Sequence, residues 1–397
     1  MKKQIEAPKK NRKKLIILYF LGFIISAASA IPAYSQSSFL TATVGISLVS
    51  TFFLLANILT FAAILLFPRM IKKIKNFRST RRVIFVYGLS LIGMSLAPTN
   101  PWLMFASFSA MNICVSLIAI NMDIFVESFS SKHSAGTTHS TYFTAINLGW
   151  IISPFIAGEL IKIGGFPITY AASLVCLMVF AFFFMFQGKN LEDKTIYKDQ
   201  SFLKTAKNIS KIGKLRSIFF LAFLLSVFYS FAVVFLPVYL SKTIGFSWET
   251  LGILFSIMLI PFILVEIPVG IIADRYLNEK EIMTLGFIIL SLSLMMFSTI
   301  KGQSFWLWAA VLVFSRLGAA IVEAMRESYF FKVIKSTDVD YIDFFRATGP
   351  LGYVFGSSLG AILLLALSLD RLFLVGAFIM CLSFPVLFLL KDIKPEK

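Results

Sequence analysis

With 397 residues, 58% hydrophobic side chains and only 14% charged ones, the chain is far from the composition of a soluble domain, in which about 25% of residues carry charge. The net charge of +17 does not point to nucleic acid, because the basic residues fall in short segments between apolar runs, the pattern of a polytopic membrane protein. Cys114, Cys176 and Cys381 all lie in apolar runs, and His133 and His139 have no partner at metal-ligand spacing. Disulfides, redox chemistry, a metal centre and a bound cofactor are therefore not expected.

At the amino terminus KKNRKK leads into LIILYFLGFII and then Ala28-Ser29-Ala30, which looks like a signal peptide with a cleavage site. An internal repeat that includes the residues just beyond that site favours an uncleaved first span. Apolar runs of about 20 residues then give twelve candidate spans, near 15–34, 43–67, 83–98, 102–127, 140–162, 167–187, 216–239, 248–272, 281–300, 305–330, 346–368 and 371–390. The third is short and borrows a turn from the basic segment before it.

Charge sets the orientation. Lys2, Lys3, Lys9, Lys10, Arg12, Lys13 and Lys14 precede the first span, and Arg69, Lys72, Lys73, Lys75, Arg78, Arg81 and Arg82 follow the second. Loops of the opposite face are short and carry little charge, so both termini are expected in the cytoplasm. The longest loop, 188–215, separates an amino-terminal six-helix bundle (1–187) from a carboxy-terminal one (216–397). Within it Phe202, Leu203, Ala206, Ile209 and Ile212 recur at helical spacing opposite Lys204, Lys207, Lys211 and Lys214. That is the pattern of a basic amphipathic helix on the inner leaflet.

The two halves echo each other. Ile31-Pro32-Ala33-Tyr34 matches Leu236-Pro237-Val238-Tyr239, Val44-Gly45-Ile46 matches Leu251-Gly252-Ile253, and Leu148-Gly149-Trp150 matches Leu351-Gly352-Tyr353. Asp123, Glu127, Ser128 and Lys132 likewise answer Glu323, Glu327, Ser328 and Lys332, with all offsets between 200 and 207. Ordered matches of this kind read as a 6+6 duplication.

At the inner end of the eighth span stands Gly270-Ile271-Ile272-Ala273-Asp274-Arg275. It resembles the loop signature G-x-L-A-D-R-x-G-R-K of the major facilitator superfamily, departing at Leu277-Asn278-Glu279. The resemblance implies an all-α membrane fold of twelve helices in two pseudo-symmetric six-helix bundles, working by alternating access. It also implies a gating role for Gly270, Asp274 and Arg275, with Arg326 as a partner for Asp274. The first-half copy, FPRMIKKIKNFRSTRR, has no acid, which leaves Asp123 and Glu127 to pair with Arg69 or Lys72. In the fifth span Gly149, Pro154 and Gly158 resemble the G-x-x-x-G-P-x-x-G-G pattern of exporters that exchange substrate for protons; close helix packing explains the same residues.

Charge inside the spans marks the candidate site. Arg316, Glu323 and Glu327 fall within about 40° of one helix face at 100° per residue. About eleven residues precede Arg316 in its span, which places it roughly 16 Å deep. In the resembled fold the first, fourth, seventh and tenth spans line the cavity, which adds Tyr19, Asn112, Ser116 and Tyr229 to Arg316 as a substrate lining. An arginine there suits a carboxylate or phosphate; a structural ion pair with Glu323 or Glu266 is the alternative. No phosphate-binding loop is present, so coupling falls to an ion gradient, with Asp123, Glu127, Glu266 and Glu323 as proton carriers.

These features describe a secondary active transporter, not an enzyme, acting as a monomer in the cytoplasmic membrane on a small molecule. Proton-coupled export, uptake of an anionic metabolite, and a non-transporting sensor or scaffold of the same fold remain as alternatives. The expected topology is checked by fusions after Lys397: green fluorescent protein fluoresces there and alkaline phosphatase is inactive, whereas insertion at Gly302 gives the reverse.

Overall fold

The computed structural model describes residues 9–96, 100–129, 135–187, 202–275, 278–334 and 339–391. These are nearly all helical. Lipid offers no hydrogen bonds, so each backbone amide and carbonyl of a spanning segment must bond within that segment. The first half contains α1 (Lys9–Ala33), α2 (Gln36–Val44), α3 (Ile46–Ile74), α4 (Asn76–Leu96), α5 (Pro101–Phe129), α6 (Ala135–Gly164) and α7 (Pro167–Gln187). After it come α8 (Phe202–Lys211), α9 (Gly213–Ser230), α10 (Leu236–Val238), α11 (Trp248–Met258), α12 (Ile260–Arg275) and α13 (Glu279–Thr299). The chain continues through α14 (Phe305–Val333), α15 (Val339–Leu363), α16 (Leu369–Cys381) and α17 (Ser383–Leu389). Gly45, at φ +79°, makes the turn between α2 and α3.

Among the described residues ten helices are long and apolar enough to cross a membrane. The third and eleventh spans expected from sequence correspond to α4 and α15, which are helical but not among the ten. Their composition is the reason: α4 carries Arg78, Arg81 and Arg82 in its first turns, and α15 carries Asp340, Asp343 and Arg346.

The seventh span is irregular. Two π-helical segments, Phe231–Phe235 and Tyr239–Ile244, flank α10 with its Pro237. Proline has no amide hydrogen, so the Val233 carbonyl cannot receive its α-helical bond. The Ser37 hydroxyl of α2 donates to that carbonyl at 3.5 Å.

The chain divides into two compact units, one of residues 1–35 and 62–199, the other of 36–61 and 200–397. In the first unit α1 packs on α6 and α7, and α4 on α5 and α7. In the second, α9 packs on α15 and α14, and α14 also meets α11, α12 and α13. The basic helix α8 packs against α9 and α15, with Ile209 buried and Lys207 and Lys211 exposed. Lys301 bonds Asp370 at 2.6 Å in the second unit, and that bond holds the exposed ammonium above its usual pKa.

The sequence repeat has a packing counterpart in each unit. A methyl group at Gly149 of α6 would come within 2.8 Å of the Phe23 carbonyl oxygen and 2.1 Å of Ser26 Oγ on α1. At Gly352 of α15 it would come within 3.0 Å of the Phe223 carbonyl oxygen and 2.4 Å of Ser226 Cβ on α9. The same glycine thus seats on the same Phe-x-x-Ser segment twice. Ser26 Oγ also donates across the first contact to the Ile146 carbonyl at 3.0 Å. Lipid gives helices no hydrophobic reason to associate, so such close backbone approach supplies much of the cohesion.

Gly149→Val and Gly352→Val are each expected to destabilise the protein by about 1–3 kcal/mol through overpacking. Thermal unfolding in detergent measures this. Gly213→Ala serves as the control, since nothing stands within 4 Å of its Cβ position.

Candidate functional site

Arg316 sits on α14, in the second unit, and is only 1% exposed. Its guanidinium carbon lies 5.6 Å from the ring centre of Phe228 and 5.9 Å from that of Tyr229, both on α9. None of Nε, Nη1 and Nη2 has a hydrogen-bond partner among the described residues. Cation–π contact returns about 2 kcal/mol at best, whereas a buried charge without hydrogen bonds costs several. The rings hold the cation without satisfying its donors.

About two helical turns further on, the charges are matched. Tyr229 donates its hydroxyl hydrogen to Glu323 Oε2 at 2.6 Å. Glu323 Oε1 faces Arg326 at 3.5 Å, Glu327 Oε1 faces the same arginine at 3.7 Å, and Arg346 of α15 bonds Glu327 Oε1 at 2.7 Å. Arg326 also lies over Phe345, at 5.4 Å from the ring centre. Two acids therefore stand against Arg326 and Arg346, and among the described residues Arg316 has no acid of its own. The ion pair between Arg316 and Glu323 considered from sequence is not formed; Glu323 takes Tyr229 and the i+3 arginine instead.

A second polar cluster closes the far end of α14. Glu279, 3% exposed, pairs with Lys332 and accepts a hydrogen bond from Ser328 at 3.1 Å. Asn278 caps α13, with the Glu281 carboxylate reaching back to its amide at 3.4 Å. The departure from the loop signature at Leu277-Asn278-Glu279 thus coincides with a helix start that supplies its own cap.

Of the expected substrate lining, Arg316 and Tyr229 come together in the second unit. In the first unit, Asn112 Nδ2 donates to the Phe108 carbonyl of its own helix at 2.8 Å, Ser116 is half-buried, and the Tyr19 side chain interacts with Thr138. Asp123 is half-buried and engaged. Gly149, Pro154 and Gly158 are buried on α6, where Ser153 Oγ donates to the Gly149 carbonyl at 2.6 Å. Glu127, Glu266, Gly270, Asp274 and Arg275 fall on helices, but their side chains lie outside the described residues, as does Lys132 entirely.

Phe228, Arg346 and Glu279 were not singled out from sequence. An arginine at the start of the eleventh span was a visible signal for Arg346. Phe228 is one of 44 phenylalanines, and only its position beside Tyr229 distinguishes it.

The family model of the Major Facilitator Superfamily matches residues 15–334 and again 218–397. The chain belongs to this superfamily. The chain of this superfamily member is similar in fold to a POT family transporter solved in complex with 5-aminolevulinic acid, at 12% identity and TM-score 0.76, with 95% of each chain covered. It is equally similar to a POT family transporter in complex with a thioalcohol-conjugated peptide, at 13% identity, TM-score 0.76 and 95% coverage of each chain. No curated protein matches it by sequence. These likenesses establish a multi-pass membrane protein of a transporter superfamily.

Arg316→Met is expected to leave the unfolding temperature unchanged or to raise it, because an apolar side chain replaces an unpaired buried charge. Loss of a true buried ion-pair partner would instead cost roughly 3–5 kcal/mol. Thermal unfolding of the purified variant distinguishes the two.

Proposed function

We propose that the protein is a secondary active transporter of the cytoplasmic membrane that moves a small acidic molecule by alternating access, with Arg316 as the group that holds the acid. The observation that carries this reading is the guanidinium of Arg316, buried to 1% exposure with no hydrogen-bond partner for any of its nitrogens among the described residues. Arginine stays charged at any physiological pH and presents planar donors that fit a carboxylate or phosphate. Buried polar groups in folded proteins are nearly always paired, so a substrate oxygen is the natural complement. In the proposed architecture α4 and α15 join the ten apolar helices to make twelve spans, in two bundles of six, with both termini in the cytoplasm.

Proton coupling is assigned to Glu323, which shares Tyr229 with the arginine's surroundings. The pattern at Gly149 and Pro154 gives no separate support to export, since helix packing accounts for Gly149.

The test is thermal stabilisation of the purified protein by a panel of carboxylates, sulfonates and phosphate esters, repeated with Arg316→Ala. Ligands that stabilise the parent are expected to lose their effect in the variant. Flux of those ligands into proteoliposomes is expected to rise when a pH gradient is imposed, and to lose that response in Glu323→Gln. Equal stabilisation of parent and Arg316→Ala by every hit would remove Arg316 from the site.

A further inference from the structure

We infer that the Arg316 site selects organic monoanions that carry no ammonium group, and discriminates against zwitterions built on the same skeleton. This rests on the reading of Arg316 as the anion-holding group, and adds a statement about what the remaining charges permit. The described acids near Arg316 are committed. Glu323 receives the Tyr229 hydroxyl at 2.6 Å through one oxygen and faces Arg326 at 3.5 Å through the other. Glu327 Oε1 stands between Arg326 and Arg346, at 3.7 and 2.7 Å. Among the described residues three guanidinium groups thus stand with two carboxylates, and their excess charge is positive.

A carboxylate, sulfonate or phosphate diester arriving at Arg316 brings that excess to zero. An ammonium on the same molecule restores it, and must leave water for a region where the described carboxylates are held by arginines. Burial of a cation without a partner is strongly unfavourable, and like charges nearby add to the cost. Phe228 and Tyr229 reinforce the selection. With both rings within cation–π distance of the guanidinium, their electron-rich faces are already used by Arg316 and are poorly available to a second cation.

Matched pairs test this: 3-phenylpropionate against phenylalanine, hexanoate against 6-aminohexanoate, and ethanesulfonate against 2-aminoethanesulfonate. Each compound is titrated against the full-length protein in detergent, with the unfolding temperature as readout, and repeated on Arg316→Ala and Glu323→Gln. The amine-free member of a pair is expected to bind at least tenfold more tightly, and to lose binding in Arg316→Ala. Glu323→Gln is expected to leave the preference in place, because that carboxylate is not an amine acceptor. Equal or tighter binding of the amino compounds, still dependent on Arg316, would overturn the selectivity while leaving the arginine as anchor. A selective loss of amino-compound binding in Glu323→Gln would overturn it too, by making Glu323 the amine site. Binding indifferent to Arg316 would remove both readings, and failure of every acid to bind would count against the inference.

Discussion

Close approach of helix backbones is the constraint on which the rest of this molecule depends. In lipid the apolar surfaces of two helices gain little by meeting, and contact comes from small side chains and shared hydrogen bonds. The Gly352 contact on Phe223 and Ser226 fixes α15 against α9. Phe228 and Tyr229 follow Ser226 on α9 within one turn, so the same contact sets where their rings stand. Those rings meet Arg316 on α14, and Tyr229 reaches Glu323. On the other side α15 brings Arg346 to Glu327. A single glycine-mediated crossing thus aligns α9 and α15, which supply partners to Arg316, Glu323 and Glu327 of α14.

The electrostatic arrangement along α14 is graded. Glu279 and Lys332 are paired at one end, Glu323, Arg326, Glu327 and Arg346 form a matched group in the middle, and Arg316 stands beyond it over the rings of Phe228 and Tyr229, with no hydrogen-bond partner among the described residues. Matched groups give a helix bundle register and rigidity. An unmatched arginine destabilises the fold, and the exchange of stability for a poised functional group is a familiar feature of binding sites.

Much of this was legible in the sequence because it depends on patterns that lipid makes strict. Apolar runs located the helices, and the paired motifs at Gly149 and Gly352 marked contacts that the structure repeats in both units. The burial of Arg316 followed from its position within an apolar run. Partner choice was not legible: whether Glu323 turns toward Arg316, Tyr229 or Arg326 depends on side-chain reach across helices, which spacing along one helix does not encode. The π-helical turns were hidden for a related reason. The offset between the halves is 200 at Phe23 and Phe223 but 205 at Pro32 and Pro237; the π segment Phe231–Phe235 lies between those points. Nothing in composition marks where a helical turn will widen to take in one more residue.

On the proposed reading, in which Arg316 takes up an acid, the protein with its acid and the protein without it differ electrically. An acid on Arg316 would cancel the excess positive charge that the described residues leave beside α14; without one, that charge would stay in the low-dielectric interior. A full elementary charge crossing the membrane field exchanges about 2.3 kcal/mol per 100 mV with it. The membrane potential would then act chiefly on the form without its acid.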